Sequence, residues 1–298
     1  MAKKQIIIYI VLSFLIAWIL FLIIPLKGMV YGEQRSTLLL TGAMFAPAIS
    51  SILVRLITKE GFKNMLLKPN FKGNIKTYLL IFFGPSLLII VSAILYFLLF
   101  PTHFDTGLTL LQGAEVTPST ILLVSLLQVI LVGPVINIVP TMGEELGWRG
   151  YLLPKLRTLF SDRLSIIISG IIWGLWHAPV IIMGHNYGTE YPGYPYVGIL
   201  VMVVFCVALG IIEGYFTIKL NSVIPAAMVH SAMNAGAALP LIVAKVGINQ
   251  TIGPTVAGLI GGLPLFLVAI TLFLKLDSAK TLQSDQILDQ EKLPSQEG

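Results

Sequence analysis

The stretch Gln5–Leu26 reads QIIIYIVLSFLIAWILFLIIPL and contains no Lys, Arg, Asp or Glu. About 20 consecutive apolar residues, at about 1.5 Å of rise each, cross the hydrocarbon core of a bilayer. This run is long enough to do so. Seven more uncharged runs follow it: Ser36–Val54, Thr77–Phe104, Val116–Gly143, Leu164–Thr189, Tyr191–Ile212, Leu220–Ala244 and Val246–Leu274. None alternates apolar and polar residues with the period of two that a membrane barrel requires. In lipid only a closed barrel or a helix satisfies its own backbone hydrogen bonds. The chain is therefore expected to be all-α, a polytopic membrane protein of about eight transmembrane helices.

Composition points the same way. The chain has 298 residues, 56% of them hydrophobic and 11% charged, against about 25% charged in soluble domains. Mean hydropathy is +0.90. The one cysteine, Cys206, lies in an apolar run, which excludes an intramolecular disulfide and any cysteine-based metal cluster. No nucleic-acid partner is expected; the bilayer is the first partner. The first run follows Lys3 and Lys4 but is too long for the core of a signal peptide and has no A-x-A-like site after it, so it reads as a retained helix.

Lys and Arg are distributed unevenly between the connections. Lys3, Lys4, the Lys59–Lys76 segment, Arg149–Arg163, Lys219 and the residues after Leu274 share one side; Lys27, Arg35 and Lys245 fall on the other. The positive-inside rule puts the first set, and both termini, in the cytoplasm of a cell-membrane protein. A membrane domain is expected over 1–275, its functional core over about 116–244, and a polar cytoplasmic tail over 276–298.

Ionisable groups inside membrane spans are costly and usually face the protein interior. Three clusters of them stand out. Glu144-Glu145-Leu146-Gly147-Trp148-Arg149 ends the fourth run, after Pro140, where the helix is expected to bend. Glu145 and Arg149 are four apart and can pair on one helix, which frees Glu144. Adjacent carboxylates in apolar surroundings suit general acid–base work, although an interfacial ion pair explains the same residues. Trp173 and His177 follow in the fifth run, His230 and Asn234 in the seventh, the latter pair one turn apart on one face. Alone, His177 is more often a hydrogen-bonded packing residue, and His230 with Asn234 reads equally as helix–helix hydrogen bonding. Counted from the basic side, Glu144, His177 and His230 lie about 20, 20 and 16 Å deep at 1.5 Å per residue. Three unrelated packing residues need not agree in depth, so one intramembrane polar site reached from the cytoplasmic face is expected.

In this order, Glu144-Glu145 with Arg149, Trp173 with His177, and His230 with Asn234 resemble the CAAX prenyl endopeptidase and bacteriocin-processing family, also called CPBP or Abi. That family is marked by E-E-x-x-x-R, an aromatic-x-x-x-H and H-x-x-x-N on successive helices, with Phe common where Trp173 stands. The resemblance covers about Pro134 to Ala238. It implies an intramembrane endopeptidase, of a family labelled metalloprotease, acting on a peptide or lipidated protein. It implies that Glu144 and His177 activate water, that His230 and Asn234 hold the oxyanion, and that Glu145, Arg149 and Trp173 order the site or grip substrate. Zinc held by Glu144, His177 and His230 is one reading, since two His and a Glu form a known catalytic set. There is no H-E-x-x-H, and a metal-independent mechanism uses the same residues. Two other classes remain: a non-catalytic immunity or scaffolding protein, and an ion-coupled transporter, for which no inverted repeat is evident. Glu213 is read as pairing with Lys219, His103 and His185 as outer-loop residues away from the site, Asn137 as a partner for backbone freed near Pro140, and Tyr187–Tyr196 as an interfacial anchor.

Overall fold

The computed structural model describes residues 2–276. The described residues are 71% helical and contain no β-strand, only one isolated bridge between Phe104 and Ala244. Helices run α1 (Ala2–Leu26), α2 (Gln34–Ala43), α3 (Ala46–Thr58), α4 (Ile75–Leu99), α5 (Pro118–Leu127), α6 (Gly133–Ile136), α7 (Ile138–Gly147), α8 (Leu153–Arg157), α9 (Asp162–Trp176), α10 (Ala178–Ile182), α11 (Tyr196–Leu220) and α12 (Ile224–Gly236). A last helix, α13, spans Leu263–Leu276. The expected tail lies, from residue 277 on, outside the described residues.

α1 shows how these helices divide their faces. Ile7, Val11, Leu15, Ile19 and Leu22 are each about half exposed, while Tyr9, Ser13, Ala17 and Phe21 are buried. Both sets recur at spacings of three or four, which puts each on one stripe. The outward stripe is wholly aliphatic and the inward one carries the polar atoms. A soluble helix does the reverse, so this surface matches a hydrocarbon solvent.

Among the described residues, six stretches are long and apolar enough to cross a membrane: Ala2–Leu26, Gln34–Thr58, Ile75–Leu99, Pro118–Ile136, Tyr196–Leu220 and Ile224–Val243. The fifth and eighth expected spans are shorter helices. α9 is cut at His177, because Pro179 has no N–H to continue the ladder, and the chain restarts as α10. Between Ala244 and Gly262 the Gly- and Pro-rich chain folds into turns, leaving α13 with 14 residues.

The fourth run is not one straight helix. Asn137 interrupts it between α6 and α7, and its Nδ2 donates to Gly133 O at 3.0 Å, as expected for a break near Pro140. Two five-residue π-turns also occur, Gln128–Val132 and Trp148–Leu152. Each is followed by a proline two residues on, Pro134 and Pro154, which cannot donate to the preceding turn. Widening the turn accommodates that missing donor, and single π-turns of this kind concentrate at functional sites.

α9 and α11 touch through backbone. A Cβ at Gly170 would lie 2.7 Å from Val207 Cα, and one at Gly174 would lie 2.5 Å from Val203 Cα. The numbering rises on one helix as it falls on the other, so the pair is antiparallel. Small residues four apart permit this approach in membrane bundles, and it fixes Trp173 and His177 against α11.

Candidate active site

Glu144 and Glu145 sit on α7, 3% and 0% exposed, and point to different partners. Glu145 Oε1 accepts from Arg149 at 2.9 Å and from His230 Nδ1 at 2.8 Å. The i,i+4 pair expected from the sequence is thus made. Glu144 Oε2 accepts from the indole N–H of Trp173 at 2.8 Å and from that of Trp148 at 3.4 Å. The aromatic at position 173 therefore does more than pack: a phenyl ring there has no donor for this bond.

Arg149 lies in the second π-turn and is buried. It forms an ion pair with Glu213 of α11 as well as with Glu145, and its guanidinium lies 4.3 Å from the centroid of the Trp173 ring. Glu213 is fully buried. The expected Glu213–Lys219 pairing is incorrect; Lys219 instead lies over the Tyr215 ring. Sequence reasoning ended the sixth span at Ile212, just before this carboxylate, whereas α11 continues to Leu220. A carboxylate within that helix was the missed signal.

His177, at the cut between α9 and α10, shares a proton between its Nδ1 and Trp173 O, 2.9 Å apart. A carbonyl only accepts, so Nδ1 carries the proton and the neutral ring keeps a lone pair on Nε2. Its plane lies parallel to that of His185, 7° apart with centroids at 6.0 Å. His185 is in turn hydrogen-bonded to the Tyr31 hydroxyl. The expectation that His185 stands away from the site is incorrect: the turn after α10 brings it back beside His177. His103 does stay elsewhere, bonded to Tyr96. In the Tyr187–Tyr196 segment, Tyr187 and Tyr191 are buried and only Tyr194 and Tyr196 face outward, so half of the expected interfacial anchor is internal packing.

One cavity of about 540 Å³ collects these groups. Glu144, Trp173, His177, His185, His230 and Asn234 all line it, within the size range of small-ligand sites. Glu145 and Arg149 lie behind the wall. Glu145 holds His230, and Arg149 lies over Trp173, the donor to Glu144.

Zinc, in one reading of the resemblance, would be held by Glu144, His177 and His230. His177 and His230 each commit Nδ1 to an oxygen acceptor, the usual outer-shell arrangement of a metal-binding His. Yet the ligand-type atoms that converge within 4.8 Å of one another are those of Glu145, Glu213 and His230, not those of Glu144, His177 and His230. Arg149 already lies against both carboxylates of that converging group, so a second cation would face a fixed positive charge. Neither set fits a catalytic zinc as arranged.

Residues 125–236 match the family of type II CAAX prenyl endopeptidases, Rce1-like. The Rce1-like segment carries all three motifs and falls within the core expected over 116–244. A protein named CAAX prenyl protease 2, from Methanococcus maripaludis, is 45% identical over 47 residues, which is 16% of this chain and 17% of that relative. The chain therefore matches about a sixth of that relative's length.

Proposed function

We propose that this protein is an intramembrane endopeptidase that hydrolyses a peptide bond of a membrane-associated substrate, prenylated or of bacteriocin type, with water activated by Glu144. The observation that carries the reading is that Glu144, His177, His230 and Asn234, from three separate motifs, line one cavity. The Rce1-like match supports the same class of reaction.

The hydrogen bonds of Glu144, His177 and His230 support these roles. His177 Nε2, with Nδ1 tied to a backbone carbonyl, accepts from a water and positions it. Glu144 removes a proton from that water as its oxygen bonds to the scissile carbonyl carbon. The carbonyl π electrons move onto oxygen, and the oxyanion is met by the amide of Asn234 and the remaining ring N–H of His230, whose other nitrogen is held by Glu145. Collapse breaks the C–N bond, and Glu144 passes its proton to the leaving amine. Products are a carboxylate and an amine. No covalent enzyme intermediate and no metal-dependent step is invoked.

Mapping of protein amino termini in cells tests this whatever the substrate. New termini present with the wild type are expected to vanish with Glu144→Gln and with His177→Ala at equal protein levels. Identical terminus profiles in wild type and both variants would overturn it, and would favour a non-catalytic role.

A further inference from the structure

Three histidines line the cavity, and each commits its Nδ1 to a protein partner. His177 Nδ1 meets Trp173 O, His230 Nδ1 meets Glu145, and His185 Nδ1 meets the Tyr31 hydroxyl. The first two belong to the motifs read from the sequence; His185 and Tyr31 belong to none of them. Among the described residues no protein group bonds His185 Nε2, so that atom is left for whatever enters the cavity. The backbone also holds His185 in place. Its N–H donates to Val180 O at 2.9 Å, and its carbonyl accepts from Tyr187 N at 2.8 Å. Gly184 just before it has φ +96°, a left-handed conformation that favours glycine, and this turn returns His185 to the side of His177.

The partner sets the tautomer. A phenol hydroxyl is a better donor than acceptor, because its oxygen lone pair is shared with the ring, and a bare imidazole nitrogen is a good acceptor. Tyr31 therefore donates to Nδ1, and the proton of the neutral ring sits on Nε2. His177 has the opposite tautomer, because the carbonyl it meets only accepts. The two rings lie parallel, 7° apart with centroids at 6.0 Å. They offer the cavity unlike atoms: an acceptor on His177 and a donor on His185. Among the described residues the wall includes no Lys or Arg, and its one carboxylate is Glu144. An anion buried beside His185 would lack a counter-charge, whereas an uncharged carbonyl needs only the donor.

We infer that His185, oriented by Tyr31, is a substrate-binding residue whose Nε2–H donates to a backbone carbonyl of the peptide flanking the scissile bond. The scissile carbonyl itself is already met by Asn234 and His230 in the reaction proposed above, so the donor on His185 serves a neighbour. An extended chain advances about 3.3–3.6 Å per residue. A ring 6.0 Å from that of His177 is thus placed for a carbonyl about one or two residues along. The binding role rests on the proteolytic reading; the oriented donor does not.

The chain has four histidines, few enough for nuclear magnetic resonance of isotope-labelled ring nitrogens to read each tautomer in the full-length protein in detergent. His103 is an internal control. It too bonds a tyrosine hydroxyl, that of Tyr96 at 2.8 Å, but it does not line the cavity. His185→Gln and His103→Gln assign the two signals. His185 is expected as the Nε2–H tautomer, and Tyr31→Phe is expected to release it into a mixture. N-acetyl-leucine N-methylamide, an uncharged probe with two amide carbonyls, should shift the His185 Nε2 signal and leave His103 unmoved. An Nδ1–H tautomer at His185, or a probe that moves both rings alike or neither, overturns the inference. Kinetics test the binding role on a peptide spanning a cleavage site found by terminus mapping. Loss of one neutral hydrogen bond in His185→Leu should raise KM about 2- to 12-fold at unchanged kcat. His185→Gln, whose amide N–H can stand where Nε2–H does, should restore KM; a fall in kcat instead, or no rescue, refutes the role. Unchanged terminus profiles beside an intact probe shift refute the proteolysis, while a missing probe shift beside normal termini refutes this inference alone.

Discussion

Arg149 is the residue whose removal should cost the fold most. It is 2% exposed and faces two carboxylates, Glu145 and Glu213, both fully buried. Taking away one partner of a buried pair leaves an uncompensated charge and destabilises by about 3–5 kcal/mol. His230 still bonds Glu145, so in Arg149→Met the unrelieved carboxylate is Glu213. At about 2 °C per kcal/mol, the low end for larger domains, the melting midpoint in detergent should fall by about 6–10 °C. Glu213→Met alone should also lower it, because Arg149 would then face one carboxylate. The double variant removes one charge of each sign. It should recover about 0.5–3 kcal/mol relative to the sum of the single losses, as contacting charges do in double-mutant cycles. The assay is thermal unfolding of the four purified proteins in one detergent. If the two losses simply add, the buried Arg149–Glu213 pair is not an energetic unit and this account of the site's scaffold fails.

Two further outcomes bear on the chemistry. Trp173→Phe keeps the ring under Arg149 but removes the indole donor to Glu144; a hydrogen bond to a charged group contributes about 1.5–3 kcal/mol, so kcat/KM should drop about 10- to 150-fold with little change in melting midpoint, and a fully active variant would show that Trp148 suffices. Dialysis against a strong chelator should leave proteolysis unchanged, since the converging ligand atoms are already neutralised by Arg149; activity lost to the chelator and restored by zinc would reverse that conclusion.

The helical, membrane-embedded character of the chain was legible because it rests on uncharged length, a property that survives any packing. The three motifs were legible for a related reason: a charged or amide side chain in an apolar run requires a partner, and Glu144, His177, His230 and Asn234 do share one cavity. What the sequence hid were consequences of breaks and of burial. Pro179 shortens the fifth span and turns His185 back to His177, a contact that no spacing rule contains. The helix that carries Glu213 extends past its uncharged run, because burial against Arg149 makes a carboxylate tolerable there.

The backbone contact at Gly170 and Gly174 carries a consequence for how this protein can vary. Neither residue touches a catalytic atom, yet Trp173 and His177 hang from the same helix, and Glu213 from its neighbour. A methyl group at either glycine meets main chain rather than a yielding side chain. The two helices would have to separate, carrying His177 away from Glu144. Misplacement by about 1 Å at a reacting centre costs on the order of 100-fold in rate. The seam therefore works as a fixed gauge for the cavity. Its glycines can change only in concert with the backbone of Val203 and Val207, whereas the lipid-facing aliphatic stripe of α1 can exchange one hydrocarbon for another without moving any atom of the site.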